Sequence, residues 1–322
     1  MSPGQPGQQT PPGGPGRPGR VIVIGSVNVD WVMRLPQLPA PGQTVTGGTL
    51  GRSDGGKGAN QAVAAARAGA TTFFVGAVGA ADGQPSVDAL VAEGIDATAI
   101  QRLSGLTGHA FVLVDSQRGE NQIAVAAGAN ALVPPGHVTA SLSVLCLAPG
   151  DVLVLSFELP ADALQAAADS ARSADINLVV NPSPVLPRSL DLLTGATITL
   201  NAGELAAVAR LAGLPPAEPG ATATDVARRT GAPVIVTLGA DGALLAGPGG
   251  TEHFPGYRVA VRDTTGAGDT FTGVFAASLA AGQPLADCVA RAVAASALAV
   301  TRDGARPGIP TAAQIDELLA GG

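Results

Sequence analysis

Val21-Ile22-Val23-Ile24-Gly25 is an unbroken apolar run cut off by a glycine. No polar residue alternates with the apolar ones, so a strand built from it must be covered on both faces, as in a parallel sheet wrapped by helices. Similar runs recur at Phe73 to Val75, Val152 to Leu155, Leu178 to Val180, Thr197 to Leu200 and Val234 to Leu238. Between them lie alanine-rich stretches with helical character: Ala59 to Ala68, Ala161 to Ala171, Glu204 to Leu211, Asp225 to Thr230 and Thr270 to Ala281. That alternation predicts an α/β fold with a mostly parallel sheet and helices on both faces. Two regions break the rhythm, Trp31 to Leu50 and Thr107 to Ala126. Their mixed polar and apolar residues, without a helical period, predict a small separate β-layer.

The chain has 322 residues, 46% of them hydrophobic, and a formal charge of −7. The size permits a large core, and the acidic balance argues against a nucleic-acid backbone or an anionic membrane as partner. Met1 to Arg20 is mostly Pro, Gly and Gln, too poor in apolar surface to offset the entropy of ordering. It is expected to be a disordered tail, with one folded domain over residues 21–322. Cys146 and Cys288 are far apart and have no metal-ligand spacing, so both are expected to be small core residues. No apolar stretch has the length of a membrane span or the form of a signal peptide, and a reducing cytoplasm is the expected compartment.

The chemistry concentrates in a few short stretches. In Asp263-Thr-Thr-Gly-Ala-Gly-Asp269 the glycines permit a sharp turn, and a helix beginning near Asp269 aims its unpaired amides at that turn, forming an anion-binding nest. Asp269 is then either a first-turn carboxylate favoured by the helix dipole or a general base beside the anion hole. Asp54-Gly-Gly-Lys-Gly-Ala-Asn60 mimics a Walker A loop read from Gly51, but Gly58 stands where a Ser or Thr should meet magnesium. The P-loop reading is rejected. Lys57 and Asn60 could instead bind a polyhydroxyl ligand lying on Gly56, or simply open a solvated helix. Asn201-Ala-Gly-Glu204 is either a capping box or an amide and carboxylate organising magnesium and phosphates. Asn28 and Asp30 share a side if their segment is extended, and Glu158 follows a buried run. His109, His137 and His253 show no ligand spacing.

These stretches occur in one order, and in that order the sequence resembles the ribokinase family of ATP-dependent carbohydrate kinases over Val21 to Leu319. The resemblance is carried by GSVNVD, PGQTVTGGT, GGKGANQAVAAARAGA, GENQIAVAAGAN, NPSP, TLNAGE, TLGADGA and DTTGAGDTFTG. It implies a three-layer α/β sandwich with a small β-sheet lid over segments 31–50 and 107–126, forming the contact of a homodimer. Asp269 would be the catalytic base, with Gly266, Ala267 and Gly268 as the anion hole. Asn28, Asp30, Gly56, Lys57, Gly58 and Asn60 would bind the sugar, with Glu158 closing the pocket. Asn201 and Glu204 would lie on the side of ATP and Mg2+, and Thr237, Leu238, Gly239, Ala240, Asp241 and Gly242 along the ATP site. A potassium ion would sit at Asp263 and Thr265 with the backbone of Ala299, Arg302 and Gly304, where Gly308 removes a side chain seen in relatives.

The activity this implies is transfer of phosphate from ATP to the 5-hydroxyl of D-ribose. Alternatives are a nucleoside or other sugar kinase of the same family, or a non-catalytic sugar sensor. The low aromatic content, 3%, favours a free sugar over a nucleoside. An aspartate of ordinary pKa, about 3.9, is a weak base for an alcohol, so proton transfer is expected late in the reaction. Relatives often carry Gly-Asp-Asp at the place of Gly79 to Gln84, and some carry a polar residue at Val293 near the adenine, where only apolar contact is expected here.

Overall fold

The computed structural model describes residues 19–321 other than 119, 188 and 248, so the expected tail lies almost wholly outside the described residues. Its last residue is a correction. Arg20 is buried rather than disordered, its guanidinium paired with the Asp151 carboxylate and capping the carbonyls of Leu145 and Cys146.

The strands are β1 (Val21–Ile24), β2 (Asn28–Leu35), β3 (Thr49–Gly55), β4 (Thr72–Gly79), β5 (Asp96–Leu103), β6 (Gly108–Asp115), β7 (Asn121–Ala126), β8 (Val152–Ser156), β9 (Asn177–Asn181), β10 (Thr197–Asn201), β11 (Val234–Thr237), β12 (Ala243–Gly247) and β13 (Gly250–Phe254). Nine of them form one sheet in the order β13-β12-β11-β10-β9-β8-β1-β4-β5. All its pairings are parallel except β11 with β12 and β12 with β13. The VIVI run is β1, between β4 and β8 and wholly buried, as its lack of alternation requires.

The helices are α1 (Lys57–Arg67), α2 (Gln84–Ala92), α3 (Pro135–Leu145), α4 (Ala161–Ser173), α5 (Ser189–Leu193), α6 (Ala202–Leu211), α7 (Pro219–Thr230), α8 (Ala267–Ala280), α9 (Leu285–Ala299), α10 (Ala305–Gly308) and α11 (Ala312–Gly321). Ile22, Ile24, Leu153 and Leu155 pack with α3, α4, α6 and α7 on one face, while Val21, Val23, Val152 and Val154 pack with α1, α8 and α9 on the other. The sandwich is therefore three-layered. No helix among the described residues is long and apolar enough to cross a membrane.

The second sheet has the order β3-β2-β6-β7. It is the small β-layer expected beside the sandwich, with shifted bounds: β2 begins at Asn28 rather than Trp31, and β3 runs past Leu50 to Gly55. Register sets Asn28 opposite Gly55 and Gly108, and Asp30 opposite Ser53 and Ala110. Cys288 is buried as expected, but Cys146 is exposed, in the left-handed conformation that ends α3.

Two close approaches of backbone fix the helices that matter most. A Cβ on Gly58 would stand 2.5 Å from the Gly25 Cα, so α1 starts hard against the end of β1. A Cβ on Gly273 would stand 2.3 Å from the Gln61 carbonyl oxygen and 2.6 Å from the Ala64 Cβ, so α8 crosses α1 with no side chain between them. Gly273→Ala is expected to destabilise the fold by about 1–3 kcal/mol, the cost of overpacking a tight contact. Urea unfolding measures it.

Candidate active site

Gly266 adopts φ +76°, and only a glycine enters that region without strain. The turn it makes delivers Asp269 to the first turn of α8, where the side chain is 7% exposed. Such a burial of a carboxylate is tolerable only with donors. The crossing of α1 and α8 supplies them: Asn60 Nδ2 donates to Asp269 Oδ2 at 3.0 Å, and Gln61 Nε2 donates to Oδ1 at 3.2 Å. Gln61 Nε2 also donates to Asn181 Oδ1, and Asn181 donates onward to the Thr199 carbonyl. Burial pushes the Asp269 pKa up to about 6, against the pull of the Lys57 ammonium and the two amides. This corrects the expectation of an ordinary carboxyl, because desolvation outweighs the neighbouring donors.

Lys57 opens α1 behind Gly56, whose φ of +89° turns the chain out of the lid. Burial alone would lower the Lys57 pKa, but Asp269, Glu158 and Glu204 attract its charge and hold the pKa above the usual value. Glu158 accepts from the Lys57 backbone amide at 3.1 Å and from the Ser26 hydroxyl. It is therefore tied into the floor of the site, not a solvated loop acid.

On the lid, Asn28 and Asp30 lie on one side of β2, as alternation demands. Asn130 clamps Asn28: its Oδ1 accepts from the Val27 amide at 3.0 Å, and its Nδ2 donates to Asn28 Oδ1 at 2.8 Å. A Cβ on Gly108 would lie 2.1 Å from Asn28 Oδ1, and one on Gly55 would lie 2.1 Å from Asp30 Oδ2, so both glycines are spaces for these side chains. Asp30 Oδ1 is buried without a partner. Burial, and next Glu158, push the Asp30 pKa up to about 6, with Arg306 opposing.

Two cavities meet at Gly268. A polar one of about 210 Å³ is lined by Lys57, Asn181, Asn201, Glu204, Gly266 and Asp269, among others. A larger, mainly apolar one of about 630 Å³ lies between the β11–β12 turn and α9, lined by Gly239, Tyr257, Val259, Val293 and Ala297 among others. Thr237, Thr264, Gly268 and Phe271 belong to both. The shapes suit a phosphate path and a flat heteroaromatic ring. Val293 presents an apolar side chain to the larger cavity.

Several expected site residues sit differently. Gly58 faces Gly25 rather than the cavity. The Ala267 amide bonds the Thr264 carbonyl at 3.3 Å, which leaves Gly268 and Asp269 as the first-turn amides without a helix partner by position. Thr237, Gly239, Ala240 and Gly242 line the apolar cavity, whereas Leu238 turns to the core and Asp241 stays exposed. Asn201 and Glu204 form a complete capping box, each accepting from the other's backbone amide at 2.9 Å, and both also line the polar cavity. Asp263 accepts from the Thr265 amide and hydroxyl on one oxygen and from the Gly304 amide at 2.8 Å on the other. Partial burial pushes its pKa up, but these donors hold it below the usual carboxylate range. A Cβ on Gly308 would lie 2.6 Å from the Ala299 carbonyl oxygen, so the loops at 263–265 and 299–308 are one structure.

Gln61, Asn130, Asn181 and Arg306 belong to this network but were not singled out by motif spacing. Gln61 and Asn130 lie within the quoted GGKGANQAVAA and NQIAVAAGAN stretches. What a sequence lacks is the crossing that makes a helix-interior amide a ligand of a distant aspartate.

The pfkB family carbohydrate kinase profile matches residues 19–312. The ribokinase of Haemophilus influenzae is 34% identical, over 92% of this chain and 97% of that protein. The crystal structure of ribokinase from Thermotoga maritima superimposes with a TM-score of 0.82 at 30% identity, covering 94% of this chain and 99% of that one. The ribokinase of Arabidopsis thaliana, solved with ribose and ATP, gives a TM-score of 0.81 at 28% identity over 94% of this chain and 99% of that one. With its sandwich, its lid and the aspartate buried at the helix start, the chain belongs to the pfkB family of carbohydrate kinases.

Proposed function

We propose that this ATP-dependent sugar kinase phosphorylates D-ribose at its 5-hydroxyl, giving D-ribose 5-phosphate and ADP. The observation that carries the reading is Asp269, buried where the lid, the polar cavity and the free first-turn amides of α8 converge. The lid residues Asn28 and Asp30, with Asn60 from α1, orient the sugar. The unpartnered Asp30 Oδ1 is an acceptor waiting for a hydroxyl. Asp269 accepts the proton of the attacking hydroxyl. The amides of Gly268 and Asp269, with Lys57, stabilise negative charge on the transferring phosphoryl group, and alignment supplies much of the rest.

A magnesium ion fits this donor set. Glu204 and Asn201 offer hard oxygens to the polar cavity, a donor set suited to an ion held largely by phosphates and water. Potassium fits the chemistry of the Asp263 loop, whose carboxylate is bound to the Gly304 amide while the nearby Ala299 carbonyl lies against Gly308, which has no side chain. Thr265 and the Arg302 and Gly304 backbone would complete its surroundings, and the ion would supply fixed positive charge beside the Gly266 turn. The compartment we favour is the cytoplasm.

The sugar face of the lid supports a homodimer. Register continues that face from Asp30 to Val32, Val112, Ile123 and Val125, and Ile123 and Val125 are 60% and 58% exposed. A second lid would cover them.

ADP release with ATP and magnesium, comparing ribose, 2-deoxyribose, fructose and adenosine with and without potassium, tests the reading. Preference for ribose, raised by potassium, is the expected result, and turnover of adenosine alone would replace it with a nucleoside kinase. Asp269→Asn is expected to lower kcat by about 10²- to 10⁴-fold, the usual worth of a general base. Both Asp269 and Asp30 act ionised, and both have pKa values raised to about 6. The ratio kcat/KM for ribose should therefore fall below pH of about 6, with a steeper limb in the parent than in Asp30→Asn. A limb that stayed level down to pH of about 5 would remove Asp269 from the base role.

A further inference from the structure

Arg306 lines neither of the two cavities. It lies in the four-residue α10, with a side chain 10% exposed. Its Nη2 donates to the Gly55 carbonyl at 2.9 Å, and its Nε donates to Asn60 Oδ1 at 3.3 Å. The Asp54 carboxylate is 3.9 Å away, beyond hydrogen-bond reach. Its hydrogen bonds go to two neutral acceptors, while the carboxylates of Asp54, Asp30 and Glu93 attract its charge against the cost of burial.

The two contacts have different consequences. A carboxamide can present either end, and an Asn60 oxygen turned toward Asp269 would face a carboxylate acceptor with an acceptor. Arg306 carries only donors. While its Nε occupies one side of the Asn60 amide, the oxygen must point there and Nδ2 must point to Asp269. Gln61 has no such lock, since its Oε1 is buried without a partner. The second contact is to Gly55, the last residue of β3, where the lid joins Gly56 and α1. The backbone of Arg306 is itself held, its carbonyl accepting from Arg67 Nη1 at 2.9 Å. One rigid guanidinium thus spans the lid root and the amide that holds the base.

We infer that Arg306 is a positioning residue for phosphoryl transfer: it fixes the orientation of the Asn60 amide that holds Asp269, and ties that orientation to the root of the β lid. The inference rests on Asp269 being the base.

The test is a double-mutant cycle on the full chain, with Arg306→Met, Asn60→Ala and the pair, following kcat for ribose and thermal unfolding of each variant. Arg306→Met is expected to lower kcat about 10- to 100-fold, the worth of a hydrogen bond to a charged group, at a temperature where the variant remains folded. In the Asn60→Ala background the same change should cost less than about 3-fold, because the residue it acts through is gone. Should Arg306→Met fold poorly, Arg306→Gln keeps one amide donor and should give a kcat between Met-like loss and the parent. Parent-like kcat in Arg306→Met, losses that multiply in the double variant, or a fall in Tm that accounts for the loss would each overturn the inference. Absence of turnover by the parent would overturn the kinase reading and this inference together, whereas full turnover by Arg306→Met overturns this inference alone.

Discussion

The close crossing of α1 and α8 is the constraint on which the rest of the site depends. Because Gly273 has no side chain, the α8 backbone lies on the Gln61 carbonyl, and the amides of Asn60 and Gln61 reach a carboxylate more than two hundred positions away in sequence. Gly58 plays the matching role at the other end of α1, pressing it onto the end of β1. A larger residue at either place would move donors by more than a hydrogen bond tolerates. The buried Asp269 carboxylate would then be left with its desolvation and without its compensation.

That compensation is deliberately incomplete. The carboxylates of Asp269, Asp30 and Glu158 repel one another, with Lys57 and Arg306 as the opposing cations, and Asp30 keeps an oxygen without a partner. An interior arranged only for stability would satisfy these groups or replace them. In the proposed function a polyhydroxyl ligand would complete these missing hydrogen bonds. Local conflict at a functional site, set in a core that is otherwise consistent, is what a folded catalyst is expected to show.

The sheet and its main helices were legible because their signal is local. Buried parallel strands read as unbroken apolar runs, and the stretches at β1, β4, β8, β9, β10 and β11 lie where the sequence puts them. Elements with weaker local patterns were not: β5, the β12–β13 hairpin, α2, α3, α9 and α11. β13 is nearly all exposed, and its Gly-Thr-Glu-His-Phe carries no two-sided burial to announce it. Of the site, the turn at Gly266 and the helix starts were legible from glycine and capping chemistry. The raised pKa of Asp269, the clamp of Asn130 on Asn28 and the reach of Arg306 to Gly55 were not, because each depends on a long-range contact. The Cys146 expectation failed for a related reason, as an apolar residue at a helix end is carried outward by the turn that stops the helix.

The register of β2 carries a last consequence. This strand is central in the lid, paired along seven positions with β3 and eight with β6, and its recognition side chains occupy every second position. Sliding it by a single residue would turn Asn28 and Asp30 to the back of the sheet and bring Val29 and Trp31 to the front. On the proposed assignment of Asn28 and Asp30 to the sugar, preference would be retuned by exchanging side chains at 28, 30 and 32 and at their cross-strand neighbours. Insertion or deletion within β2 erases recognition outright instead of retuning it.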